Sequence, residues 1–258
     1  MKKIFPFLLL SLIISAMFIL IFNTKEKVTP KIITVDTLHS YLYKNNQLIE
    51  IPIYVSAMQE VFSEISAYEN IYIFNSDDKK LFLDLKEITT GHSELYLGDN
   101  YQKIILKFEM PNLSEDFIIE NAYMNISLIN DHELALKIGE LSLTYLNNTS
   151  DLDWLTLDSK RNIDNNEKVQ MDYIIIELNE EVSSIEMIKI ANNNALEYEI
   201  IENTIIITIP NYNLVINYIP LWIAFNDGSI QTFNNHHYII EYSLLEKAGR
   251  LLNIYVLT

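Results

Sequence analysis

Along most of this chain apolar and polar residues alternate one by one, which is the period of a half-buried β-strand. In "QKIILKFEM", Ile104, Leu106 and Phe108 share one face while Lys103 and Lys107 share the other. The same texture runs through "KIITVDTLHSYLY", "LIEIPIYVSA", "ENIYIF", "KKLFLDLKEI", "DFIIENAYMNISLIN" and "ELALKIGELSLTYL". It resumes in "VQMDYIIIEL", "SIEMIKIA", "LEYEIIENTIIITI", "LVINYIPLWIAF" and "LLNIYVL". Turn-forming clusters separate the runs. Asn45-Asn46 predicts a hairpin turn, "NSDD" a second, and Asp227-Gly228 the strongest of them. Proline donates no backbone hydrogen bond, so Pro52 and Pro220 each predict a sheet edge, a strand start or a bulge.

Three stretches depart from this period. Met58, Val61, Phe62, Ile65 and Tyr68 recur at helical spacing, and Ser56 with Gln59 fits a capping box, so a short amphipathic helix is expected near 57–68. "SLLEKAG" predicts one or two helical turns ended by Gly249. At the N-terminus, Ile4 to Phe22 is almost unbroken apolar sequence, about 28 Å long as a helix against a hydrocarbon core of about 30 Å. The following "NTKEK" offers no small-x-small cleavage site, which favours a retained anchor over a cleaved signal peptide. Lys2 and Lys3 favour an N-terminus inside the cell, with the bulk of the chain outside the cytoplasm.

Between 147 and 168 the texture changes to Asn- and Asp-rich sequence, the best candidate boundary between domains. The reading is therefore all-β: two tandem β-sandwich domains, immunoglobulin-like in general shape, after an N-terminal transmembrane helix. Its parts are a cytoplasmic stub at 1–3, the anchor at 4–22, a first sandwich at 31–147 and a second at 152–258.

Composition mostly removes functions. There is no cysteine among the 258 residues, so no disulfide framework, thiolate metal site or cysteine nucleophile is available. The net charge of −17 is spread evenly, with −10 in each of 28–150 and 151–258. A uniformly acidic surface repels phosphate backbones, which argues against nucleic-acid binding. The five glycines stand alone, so neither a phosphate loop nor a dinucleotide fingerprint exists and no nucleotide is expected. No Gly-x-Ser-x-Gly or His-Glu-x-x-His is present. Asp131-His132-Glu133 reads as a polar turn, and His236-His237 would point to opposite faces of a strand.

What survives is modest. Asp151, Asp153 and Asp158, with Asp164 and Glu167 nearby, offer hard oxygen ligands, which makes calcium the one cofactor to weigh. Trp154 and Trp222 sit among apolar neighbours and are expected in the core. The expected role is non-catalytic: a single-pass membrane-anchored module with a binding or assembly role at the bacterial cell surface, its expected partner a protein of the cell envelope. The alternatives are a glycan or cell-wall binding module and an envelope hydrolase using paired carboxylates. An exposed row of aromatics on one sheet face would favour glycans. An apolar edge strand would favour a protein, and facing carboxylates of raised pKa an enzyme.

Overall fold

The alternating runs become strands, and their order of pairing sets the architecture. The computed structural model describes residues 30–43, 47–57, 59–129, 133–147, 149–152, 154–160, 172–179, 185–190, 196–209, 214–216, 218–237 and 244–257. Within these the chain is all-β, with four sheets. β1 (Lys31–Val35), β3 (Leu48–Ser56), β6 (Leu85–Tyr96), β7 (Asp99–Glu109) and β19 (Leu252–Val256) form a five-stranded sheet in the order β19-β1-β3-β7-β6. β2 (Thr37–Leu42), β4 (Tyr68–Phe74), β5 (Lys80–Phe82), β8 (Phe117–Leu128), β9 (Glu133–Thr144) and β16 (Val215–Ile216) form a six-stranded sheet, β16-β2-β9-β8-β4-β5. Ile49, Ile51, Ile53, Ile104, Leu106 and Phe108 of the first meet Ile71, Ile73, Met124, Ile126, Leu136 and Ile138 of the second in one buried core.

A second pair of sheets follows. β10 (Thr149–Asp151), β13 (Ile185–Ile190), β17 (Tyr218–Phe225) and β18 (Ile230–His237) are ordered β10-β18-β17-β13. β11 (Trp154–Lys160), β12 (Tyr173–Leu178), β14 (Tyr198–Ile201) and β15 (Thr204–Thr208) are ordered β11-β12-β15-β14. Their shared core is nearly all Ile and Leu: Ile174, Ile176, Ile188, Ile190, Ile205, Ile207, Leu221 and Ile223. The Asp227-Gly228 hairpin forms as expected between β17 and β18, closed by Phe225 N–H to Ser229 O at 3.0 Å and Gly228 N–H to Phe225 O at 2.9 Å.

The strand read as one run at 31–43 is two. It breaks at Asp36, so β1 stays in the five-stranded sheet while β2 crosses to the six-stranded sheet and pairs in parallel with β9. No hairpin joins β2 to β3, because they lie in different sheets; it is β1 that pairs with β3. The Asn45-Asn46 turn lies outside the described residues. Beyond the end of β1, one side of β3 is left open, and two devices close it. The Tyr41 hydroxyl donates to Glu50 O at 3.0 Å and accepts Glu50 N–H at 2.9 Å. Pro52, two residues on and so facing the same way, has no N–H to satisfy. Its position matches the expectation of a local edge. Pro220 sits where the β17–β18 register shifts, the bulge alternative.

The C-terminal segment, read from sequence as the end of a second domain at 152–258, pairs with a strand of the first pair of sheets. α2 (Leu244–Ala248) and β19 return to the first pair of sheets, where β19 pairs with β1 and Leu244, Leu245 and Ala248 cover Ile33, Val35, Tyr54 and Tyr101. Among the described residues, the strands of the second pair of sheets thus lie in sequence between β9 and α2, interrupted only by β16, which pairs with β2 of the first. Period-2 patterning specifies that a segment is a strand and which face is apolar, but not which sheet receives it.

The expected helix near 57–68 is shorter than its spacing implies. α1 (Gln59–Ser63) makes one turn, Glu64 is extended, and Ile65–Ala67 is a 3₁₀ turn before β4 begins. So short a helix cannot repay its own nucleation, and pairing of Tyr68 with Leu128 draws the chain into strand instead. The Tyr68 hydroxyl donates to Phe62 O at 2.9 Å, satisfying a carbonyl at the helix end. Among the described residues no helix is long and apolar enough to cross a membrane, and Ile4 to Phe22 lies outside them.

β2 is buried along its whole length. Tyr41 enters the first core, Leu38 the second, and Leu42 packs with Trp222 and Ala224 of β17. His39 in the same strand is fully buried, and desolvation holds its imidazole down at about 4, backbone hydrogen bonds offsetting only part. The neutral form is favoured in the folded state, so unfolding takes up a proton below the ordinary value of about 6.5. His39 is therefore expected to remove about 3 kcal/mol of stability as pH falls from about 6.5 to about 4, and no more below that. Urea midpoints measured across this interval for the wild type and for His39→Gln check it. The wild type should fall more steeply, and parallel profiles would refute the assignment.

Candidate functional site

The most distinctive outward surface is aromatic. In β4, Ile71 and Ile73 face the core, which turns Tyr72 and Phe74 to the outside of the six-stranded sheet. The turn after β4 is held by Asn75, whose Oδ1 accepts Asp77 N–H at 3.0 Å and Lys79 N–H at 3.3 Å. That turn brings β5 back in register, with Phe82 opposite Tyr72 and Lys80 opposite Phe74. On the other side β8 sets Tyr123 opposite Phe74 and Asn125 opposite Tyr72. Four rings therefore run across three strands: Phe82 to Tyr72 at 5.6 Å, Tyr72 to Phe74 at 5.6 Å, and Phe74 to Tyr123 at 5.7 Å. Phe82, on the edge strand, is 61 % exposed, while Tyr72, Phe74 and Tyr123 are half-buried.

Among the described residues, one cation stands over this row. The Lys80 ammonium stands 3.5 Å from the Tyr72 ring centre and 4.6 Å from that of Phe82. Phe74 and Tyr123, the least inclined pair at 32°, complete the row on the β8 side. Lys79 points elsewhere, donating to Ile118 O at 2.9 Å, and Lys137 pairs with Asp36. Next to Tyr72, the amide oxygen of Asn125 is buried and accepts no hydrogen bond.

The residues singled out from sequence are dispersed. Asp151 lies on β10, paired with Thr232, and Asp158 on β11, paired with Ile175, so the two belong to different sheets. Asp153, Asp164 and Glu167 lie outside the described residues. Among the described residues no group of three or more His, Asp or Glu side chains gathers where it could hold a metal ion. Trp222 is buried as expected, but Trp154 is 40 % exposed on its edge strand, edge-on to Phe233 at 5.6 Å.

Carboxylates do meet in two places. Burial raises the Glu140 carboxyl above its ordinary value, with the Glu120 charge adding to it. These two stand side by side on neighbouring strands β9 and β8, not across a cleft. On the outer face of the five-stranded sheet, Lys107 Nζ lies 3.2 Å from Glu87 and 3.7 Å from Glu50. Farther along β6 the buried Glu94 carboxylate accepts Leu245 N–H at 2.8 Å and contacts His92 at 3.1 Å. These are cross-strand, same-strand and helix-terminus contacts.

No family model matches this chain. No curated protein matches it either. Solved structures do, at low similarity. One is a Bacteroides ovatus protein of a mixed-linkage glucan utilization locus in complex with a mixed-linkage heptasaccharide, at 11 % identity and TM-score 0.23, covering 75 % of this chain and 39 % of that one. A marsupial T cell receptor matches at 9 % identity and TM-score 0.24, over 79 % of this chain and 60 % of that one. The sialic acid binding region of a Streptococcus sanguinis adhesin matches at 12 % identity and TM-score 0.21, over 80 % and 47 %. This chain spans less than two thirds of the length of each. At such TM-scores the three carry nothing over to the ligand of this chain, which has to be read from its own surface.

Tyr72, Phe74, Phe82 and Tyr123 were not marked by any motif. The signal was present in "NIYIF", where Ile and aromatic residues alternate. An aromatic on the polar phase of a strand is a surface feature, and its repetition on a neighbouring strand makes a row.

Proposed function

We propose that this protein is a non-catalytic glycan-binding module of the cell surface, held to the membrane by residues 4–22 with its immunoglobulin-like β-units outside the cytoplasm. The observation that carries this reading is the row Phe82–Tyr72–Phe74–Tyr123 on the outside of the six-stranded sheet. Aromatic faces take the C–H side of a pyranose ring much as they take other rings, and Tyr adds a hydroxyl for polar contact. An outer sheet face carrying several rings in a row suits an extended sugar chain better than it suits a closed reaction site.

An apolar edge supports the second reading, a protein partner. On β14, Tyr198, Ile200 and Ile201 are all more than a third exposed. Calorimetric titration of the soluble portion with polysaccharides separates the two. Tyr72→Ala and Phe74→Ala, each assayed well below a melting temperature somewhat lowered by the lost ring contacts, are expected to weaken glycan binding about tenfold, roughly 1.4 kcal/mol. Ile200→Asp is expected to leave it unchanged. Equal effects of all three, or none, would count against the aromatic row.

A further inference from the structure

Lys80 gives the row a direction. Its ammonium sits over Tyr72 and Phe82 and not over Phe74 and Tyr123, so a stacking platform lies directly beside a fixed positive charge. We infer that the glycan bound here is an acidic one, with Phe74 and Tyr123 stacking on a sugar ring and Lys80 pairing with a carboxylate on that ring or its neighbour. The inference rests on the glycan-binding reading above and deepens it.

The physical reason is competition for the ring faces. A neutral sugar laid on Tyr72 and Phe82 must displace the ammonium and forfeit its cation–π contacts. A sugar carboxylate loses nothing, because it meets the ammonium where it already stands and leaves those contacts intact. The net charge of −17 opposes any anion at long range. At physiological salt that repulsion is screened beyond about 8 Å, so the groups at the site decide. Lys79 is turned away to Ile118 O, and the adjoining turn carries Asp77 and Asp78. Among the described residues Lys80 is thus the cation that stands over the rings, and selectivity should depend on it.

The test uses acid–neutral pairs. Polygalacturonate, hyaluronan and alginate are each titrated beside the same polymer with its carboxylates reduced to alcohols, at 0.15 M salt. At least one acidic polymer is expected to bind about tenfold tighter than its reduced form. Lys80→Gln is expected to abolish that preference, Lys80→Arg to keep it, and Phe74→Ala to weaken both forms of the pair. Equal binding of acidic and reduced forms overturns the inference and leaves the glycan reading standing. So does an acid preference that survives Lys80→Gln. Failure of all six polymers to bind removes both.

Discussion

Gly139→Ala is expected to be among the most damaging single substitutions in the protein, costing about 2–6 kcal/mol. Gly139 lies in β9 opposite Thr37, at the point where the chain has just crossed from one sheet to the other. A Cβ there would land on the backbone nitrogen and oxygen of Thr37, which are not side-chain ends that can swing away. The residue also has φ +104°, in the region that side chains rarely adopt. Two penalties therefore add: steric overlap of about 1–3 kcal/mol and backbone strain of about 1–3 kcal/mol. Gly98→Ala separates them, because Gly98 has φ +85° but nothing within 4 Å of its added Cβ. Thermal unfolding followed by circular dichroism should show a fall of roughly 10 °C for Gly139→Ala. Gly98→Ala should show only a few degrees. Similar small shifts for both would mean that β2 and β9 can move apart, and the close crossing would not be the constraint described.

The same crossing shows where sequence reading stops. Strand identity was legible because Ile49, Ile51, Ile53 and Ile104, Leu106, Phe108 alternate with polar residues, and burial follows that alternation. The Asp227-Gly228 turn was legible because its conformation is local. Sheet membership was not. Asp36 interrupts an apolar run that otherwise reads straight through, and its role becomes visible only with its partners. Its carboxylate pairs with Lys137 and accepts Asn253 Nδ2 at 2.7 Å, residues 101 and 217 positions away. Pro52 was half legible: the missing donor announced an edge, but only the departure of β1 shows why an interior strand tolerates one. For the site, the carboxylates and tryptophans that stand out in the sequence are dispersed in the fold. The row of Tyr and Phe is spread over β4, β5 and β8, and only antiparallel pairing gathers it.

Removal of residues 244–258 is expected to unfold the first pair of sheets, not the second to which they are adjacent in sequence. β19 pairs with all five residues of β1, and α2 covers Ile33, Val35, Tyr54 and Tyr101. Further ties hold the segment, among them Asp36 N–H to Leu251 O at 2.8 Å, Lys137 N–H to the Tyr255 hydroxyl at 2.7 Å, Leu245 N–H to Glu94 at 2.8 Å, Asn253 Nδ2 to Asp36 at 2.7 Å and Leu257 N–H to Pro30 O at 2.9 Å. Two buried leucines contribute about 1.5–3 kcal/mol each, and a handful of hydrogen bonds about 0.5–1.5 kcal/mol each. Together these reach the order of 5–10 kcal/mol, comparable with the whole stability of a typical domain. Hydrogen exchange locates the damage. In the shortened chain, amides of β3 and β7 should lose protection, and those of β12 and β15 should keep it. A synthetic peptide of residues 244–258 added in trans should restore the protection of β3 and β7, since it supplies the missing strand. In a simple tandem arrangement the opposite would hold, with the loss confined to β12, β15 and β17. The location of the lost protection therefore decides whether the second pair of sheets is an insertion in the first unit or a unit that follows it.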